Sequence, residues 1–256
     1  MKYNLVFDIG NTNIVAGVYE GKTLKHTFRF DSDRKKTADE FNSLIFGFAN
    51  ELGISLKDVS KIVACSVVPT LTRTFEQVFF QYFTCPYKFI DGLTPLGITY
   101  FTDDPSFIGA DLVANAYGVW KKYQSNCIVI DIGTATTIQL VDKNGSYLGV
   151  SILPGMKSSA TSLFKQASQL FDVKLETPKM LLGNNTQDAL LSGLVYGHVF
   201  IVDGFVSRIK KEYDNLKDIK VIATGGLASL LNQLTQSIDI MDINLTIDAL
   251  NLIALL

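Results

Sequence analysis

Two short turns hold the side chains in this chain best suited to chemistry. Asp8-Ile9-Gly10-Asn11-Thr12-Asn13 and Asp131-Ile132-Gly133-Thr134-Ala135-Thr136-Thr137 each close an apolar run with an aspartate, a glycine and then hydroxyl or amide side chains. Glycine in a tight turn permits a positive φ and removes the side chain that would block a phosphate. Asn11, Thr12 and Asn13 in one turn, and Thr134, Thr136 and Thr137 in the other, supply donors beside exposed backbone N–H groups. The carboxylates of Asp8 and Asp131 repel phosphate unless a cation lies between them, so the pattern implies Mg2+ or another metal. One such turn alone reads as a β-hairpin. The second copy, 123 residues further on, turns the balance toward phosphate.

A third candidate is Thr224-Gly225-Gly226, where paired glycines let backbone approach a flat base or ribose and a following helix start favours negative charge. By itself it is equally a strand-to-helix turn. Phosphoryl transfer also needs a carboxylate near the acceptor hydroxyl. Asp111, behind the small pair Gly109-Ala110, is the best placed. In the first turn of a helix, it serves equally as a partner of the helix dipole, and sequence alone does not separate the two roles. His26 and His198 are isolated and read as structural or exposed. Neither the Walker A pattern nor the dinucleotide glycine fingerprint occurs.

The elements that must position these groups follow from periodicity. Residues 4–7, 14–19 and 24–30 read as three strands around the first turn, with Glu20-Gly21-Lys22 as a hairpin. Thr37 and Glu40 form a capping-box pattern ahead of Phe41, Leu44, Ile45 and Phe48 at helical spacing. A strand at 62–68, a helix at 70–83, a strand at 87–90 and a helix at 109–123 complete the first half. The second half repeats the scheme: strands at 127–130, 138–141 and 147–153, a break at Pro154-Gly155, helices at 156–171 and 186–213, and a strand at 221–223. The match of VFDIGNTN with VIDIGTAT near half-length indicates duplication. Two similar α/β domains, 1–115 and 116–256, facing one another would bring both turns to one cleft.

With 47% hydrophobic and 19% charged residues, the chain has apolar surface for a real core. Its formal net charge of -2 gives no electrostatic reason to expect nucleic acid. Cys65, Cys85 and Cys127 make neither a disulfide framework nor a metal pattern, and Cys65 and Cys127 read as small core hydrophobes. Asp8 interrupts the first apolar run too early for a signal peptide, and no uninterrupted apolar run reaches the ~20 residues of a membrane span. A cytoplasmic protein with no membrane partner is expected.

Taken together, the motifs resemble those of the type III pantothenate kinases, in the acetate kinase/sugar kinase/heat-shock protein 70/actin superfamily. DIGNTN and DIGTATT are similar to that family's two phosphate motifs, Gly109-Ala110-Asp111 to its catalytic segment, and ATGGLA at 223–228 to its nucleotide-side glycines. GNNTQDALLSGLVYG at 183–197 is similar to its late threonine-containing stretch. The resemblance implies two ribonuclease-H-like domains with a nucleotide cleft, a homodimer, and use of ATP with Mg2+ and a monovalent cation, K+ or NH4+. The implied reaction is phosphorylation of pantothenate, the first step of coenzyme A biosynthesis. By position, Asp8, Gly10, Asn11, Thr12 and Asn13 would hold phosphate and metal. Gly133, Thr134, Thr136, Gly225 and Gly226 would hold nucleotide, and Asp131 the monovalent cation. Asp111 would be the base, while Tyr100, Thr102, Gly109, Ala110, Leu112 and Thr186 would lie on the pantothenate side, Thr186 reaching in from the partner subunit. Two positions depart from the pattern: Leu112 replaces an arginine and Thr102 a tyrosine. A same-fold kinase for another small hydroxylated substrate, or a nucleotide-binding regulator akin to transcriptional accessory factors, are the alternatives.

Overall fold

The computed structural model describes residues 2–166 and 173–256. In chain order its strands are β1 (Tyr3–Ile9), β2 (Asn13–Glu20), β3 (Thr23–Asp31), β4 (Val59–Ser66), β5 (Tyr87–Phe89), β6 (Thr99–Tyr100), β7 (Cys127–Ile132), β8 (Ala135–Val141), β9 (Ser146–Pro154), β10 (Lys220–Thr224) and β11 (Ile240–Met241). The helices are α1 (Ala38–Glu51), α2 (Pro69–Tyr82), α3 (Ala110–Tyr123), α4 (Met156–Gln166), α5 (Thr186–Glu212), α6 (Ala228–Asn232) and α7 (Leu245–Ala254). The remainder of the helix expected at 156–171 lies outside the described residues.

These elements form two compact units. The first comprises residues 1–98, 103–118 and 245–256, the second residues 99–102 and 119–244. The first unit's sheet has the order β3-β2-β1-β4-β5, with β1 antiparallel to β2, β2 antiparallel to β3, and β4 parallel to both β1 and β5. In the second unit β9-β8-β7-β10-β11 repeats that order and those directions, with β6 added beyond β9. The internal sequence match is thus a duplicated fold.

Local chemistry explains the first unit's helices. Thr37 and Glu40 close a reciprocal capping box at the start of α1, Glu40 N–H donating to Thr37 Oγ1 at 3.3 Å and Thr37 N–H to Glu40 Oε2 at 2.7 Å. Pro69 opens α2, where its missing N–H costs nothing. Phe41 and Ile45 of α1, with Leu71, Phe75 and Phe79 of α2, cover one face of the sheet around Phe7. The Phe7–Phe75 and Phe7–Phe79 ring centroids are 5.5 and 5.2 Å apart.

The expected division into 1–115 and 116–256 differs from this grouping at the end of the chain. Helix α7 packs on the first sheet, where three polar links pin it. Asn4 Nδ2 donates to Asn251 Oδ1 at 3.2 Å, Tyr19 Oη to Asp248 Oδ1 at 2.6 Å, and Asn251 Nδ2 to the Gly21 carbonyl at 2.9 Å. An apolar helix has to bury its surface somewhere, and sequence order does not say against which sheet. Residues 99–102 move the other way, because Thr99 and Tyr100 pair with Ser146 and Tyr147 at the second sheet's edge.

In the second unit α5 lays Leu191, Val195, Val199, Val202 and Val206 against Ile128, Ile130, Ile138 and Leu140. At 27 residues, α5 is long and apolar enough to cross a membrane by length and composition, although no uninterrupted apolar run shows it, and its buried stripe is part of this core. His198 on α5 is buried, with Nδ1 3.3 Å from the Leu194 carbonyl and Nε2 3.2 Å from the Pro154 carbonyl. Burial holds its pKa below the ordinary 6.5, against the opposing pull of those two carbonyls. The folded state therefore binds this proton less readily than the unfolded chain. His198 supports the fold above about pH 6.5, and the support is lost as pH falls through its depressed folded value. Thermal unfolding measured from pH 7.5 down to pH 5 should show a falling Tm in the native chain and a shallower fall in His198→Asn; equal slopes would remove His198 as the cause.

Candidate active site

In the first unit, β1 delivers Asp8 to the sheet's carboxyl end, between Val15 of β2 and Cys65 of β4. Gly10 N–H donates to the Asn13 carbonyl at 3.1 Å and closes the turn. A Cβ on Gly10 would lie 3.0 Å from that carbonyl oxygen, which accounts for the glycine. Asn11 and Thr12 are exposed at the tip and Asn13 starts β2. The Cys65 thiol donates to Asp8 Oδ1 at 3.4 Å. Burial pushes this thiol well above its usual range, and the negative charges of Asp8 and then Asp111 push it further. One buried sulfur thus lies in the field of both carboxylates.

Asp111 sits in the first turn of α3, its Oδ1 accepting the Leu112 N–H at 2.8 Å. A Cβ on Gly109 would stand 2.6 Å from Asp111 Oδ1, so glycine is what lets the carboxylate lie back against the chain. Burial raises the Asp111 pKa above the ordinary 3.8, against the lowering effect of backbone N–H groups. A carboxylate so placed is a stronger base than a solvated one. The bond to Leu112 N–H also satisfies a helix-start donor, so the dipole role is present too.

The residues expected on the pantothenate side fall in both units. Ala110 and Leu112 are buried, 7% and 6% exposed, so Leu112 is a core side chain where the resemblance leads one to expect an arginine. Tyr100 and Thr102 belong to the second unit, Tyr100 in β6 with its ring 5.8 Å from that of Tyr147 and Thr102 exposed in a bend. Thr186 is exposed at the start of α5, behind Asn185, whose side chain caps the helix through Asp188 N–H at 2.9 Å.

The second unit rebuilds the turn with different supports. Asp131 lies between Thr137 of β8 and Thr224 of β10, so Thr224 takes the place that Cys65 has beside Asp8. Gly133 N–H donates to the Ala135 carbonyl at 2.9 Å, and Thr134 is exposed. Gly225 has φ +95°, and a Cβ there would lie 2.6 Å from Asp131 Oδ1 and from Ile132 N and O. The Gly-Gly segment therefore rests directly on the aspartate turn, with Gly226 exposed beside it. Two expectations change. Helix α6 is only five residues long, too short to supply the dipole expected after Gly226. Thr136 is fully buried on the face it shares with Ile132 and Ile138, and its hydroxyl has no hydrogen-bond partner among the described residues. Strand alternation turns it inward while its neighbours point the other way.

Other contacts at the turns were not read from the sequence. Ser32, directly after β3, donates its N–H to the Thr12 carbonyl at 3.1 Å and its Oγ to the Gly10 carbonyl at 2.6 Å. Gly155, directly after β9, likewise donates its N–H to the Thr134 carbonyl at 3.1 Å, and Ser158 Oγ donates there at 2.6 Å. Arg34 Nη2 donates to Asn11 Oδ1 at 3.2 Å. The available signal was the duplication itself: in each copy the residue after the third strand returns to hold the turn. Among the described residues no group of three or more His, Cys, Asp or Glu side chains is placed to hold a metal ion. A lone carboxylate suits Mg2+, which keeps its waters and takes further oxygens from phosphate.

The sequence profile of the type III pantothenate kinase family matches residues 4–208 of this chain. The chain is 38% identical over 250 residues to a type III pantothenate kinase of Geotalea daltonii, covering 97% of this chain and 96% of that one. Among solved structures it is similar to a Campylobacter jejuni protein assigned to the Baf family of transcriptional activators, with TM-score 0.62, 20% identity, and 97% and 96% of the two chains covered. It is also similar to a protein of Cytophaga hutchinsonii described as a sugar kinase, with TM-score 0.53, 11% identity, and 99% and 100% covered. These two likenesses concern the fold alone, a duplicated ribonuclease-H-like architecture.

Proposed function

Because the chain belongs to the type III pantothenate kinase family, we propose that it transfers the γ-phosphoryl group of ATP to the terminal hydroxyl of pantothenate in the coenzyme A pathway. What supports this reading is the family match together with Asp8, which accepts a hydrogen bond from the Cys65 thiol, and Asp111, a carboxylate of raised basicity whose negative charge also acts on that thiol. Asp111 accepts the hydroxyl proton as the oxygen–phosphorus bond forms and the bond to the β-phosphate oxygen breaks. Asn11, Thr12 and the turn's backbone orient the phosphates, while Gly10 keeps the space above the turn clear of a side chain. Asp8 would hold Mg2+, which when bound would offset the negative charge of the phosphates. Gly133, Thr134, Gly225 and Gly226 would hold the nucleotide, with Thr136 contributing backbone only, and Asp131 would hold K+ or NH4+. The reading includes a cytoplasmic homodimer in which Thr186 serves the partner's substrate. It assigns no nucleic-acid or membrane partner, in keeping with the net charge of -2.

The burial of Leu112 favours a second reading, a kinase of this fold acting on a different small hydroxylated acceptor. Without the arginine, the fixed cationic fork for a carboxylate is missing from this position. Purified protein with ATP, Mg2+ and pantothenate, assayed in K+ and in Na+ with mass detection of phosphopantothenate, separates the two. K+-dependent product supports pantothenate. ATP binding without product, together with ADP release on another hydroxylated metabolite, replaces it with the second reading.

A further inference from the structure

Phosphoryl transfer concentrates negative charge on the equatorial oxygens of the moving group, and the first turn itself contributes only the negative charge of Asp8. Arg34 brings a cation to that turn through the 3.2 Å bond from Nη2 to Asn11 Oδ1. Among the described residues its guanidinium has this one hydrogen bond and no ion pair, and the side chain is exposed. The neighbouring Asp33 is spent elsewhere: its Oδ1 accepts the Lys35 N–H at 2.9 Å and its Oδ2 lies 3.5 Å from Lys36 Nζ. Most of the guanidinium's N–H donors are therefore available.

The segment that carries Arg34 is fixed at both ends. Ser32 is bonded to Gly10 and Thr12 of the turn. Lys36 N–H donates to the Asp33 carbonyl at 3.2 Å, and the Thr37–Glu40 capping box anchors the start of α1. An arginine held this way needs little reorganisation as charge develops, which is the condition for electrostatic catalysis. The duplicate turn in the second unit is held instead by Gly155 and Ser158, both uncharged.

We propose that Arg34 is a catalytic residue, its guanidinium contacting the transferring phosphoryl group over the first Asp-Gly turn. This assignment rests on the kinase reading above. The test measures three quantities in the native chain, Arg34→Ala and Arg34→Lys: the rate of phosphopantothenate formation, affinity for ADP, and affinity for ADP with aluminium fluoride, a mimic of the transferring group. Arg34→Ala should lower kcat by about 10²–10³-fold, as loss of one preorganised donor does elsewhere. It should weaken the fluoroaluminate complex at least about tenfold relative to ADP, and leave Tm unchanged because the side chain is exposed. Arg34→Lys should recover part of both losses. A merely structural role for the Asn11 bond would shift ADP and the mimic equally, and that outcome, or an unchanged kcat, overturns the proposal. If the native chain makes no phosphopantothenate but the ADP-against-mimic difference persists, the acceptor reading fails and Arg34 stands. Absence of nucleotide binding by the native chain would overturn both.

Discussion

Replacing Asp111 with asparagine is expected to lower kcat by about 10²–10⁴-fold, the range for loss of a positioned general base, while ATP affinity changes less than about twofold. Asparagine keeps an oxygen that can accept the Leu112 N–H, so the start of α3 survives. What it loses is the ability to take the hydroxyl proton. The same substitution carries a stability signature of opposite sign. Burial raises the folded-state pKa of Asp111 above 3.8, so the folded chain holds this proton more tightly than the unfolded one. Its contribution to stability is complete below the ordinary value and is lost as pH rises through the raised folded value. At neutral pH the asparagine variant should therefore unfold at the same or a higher temperature than the native chain. An inactive variant that is also less stable at pH 7.5 would mark Asp111 as a structural cap; a fully active one would remove it from the mechanism. Turnover, ATP titration and thermal unfolding on one preparation decide the matter.

The second large effect is expected at Gly225. A methyl group there meets Asp131 Oδ1 and Ile132 N and O at 2.6 Å, in a backbone held at φ +95° that L side chains rarely adopt. The positive φ and the overpacking together should cost about 2–5 kcal/mol, lowering Tm by about 5–15 °C for a chain of this size. Relief of the contact requires the Asp131 turn or the Gly-Gly segment to move, so nucleotide affinity should fall at least about tenfold. Gly47 provides the contrast: it lies within α1 with nothing within 4 Å of a Cβ, and Gly47→Ala should stabilise the chain by about 0.5–1 kcal/mol. Denaturant melts of the two variants, with an ATP titration of Gly225→Ala, check the pair. Equal stability of the two would show that the Asp131 turn is not packed as described.

Much of the fold was legible because local rules and tertiary demand agree. The strand–turn–strand–turn–strand pattern of both halves and the capping box of α1 are short-range signals, each satisfied within a few residues. The duplication was legible because the two aspartate turns lie within octapeptides that share Val, Asp, Ile and Gly in register. The short pairings β6 and β11 were not, since two residues carry no period and form only where another strand's edge offers partners.

For the site, the sequence by itself determined which residue types stand in the two turns, the glycine in each, and the carboxylate at the start of α3. These depend on backbone geometry over a handful of residues. Tertiary structure alone decided the rest. It set Cys65 against Asp8 through the β1–β4 register and returned Ser32, Arg34, Gly155 and Ser158 to the turns from the ends of third strands. It turned Thr136 and Leu112 into the core, and it carried α7 back to the first sheet. Each of these is a choice of face, register or packing partner between segments distant in sequence. Such a choice is made by the burial of whole surfaces, which no local pattern records.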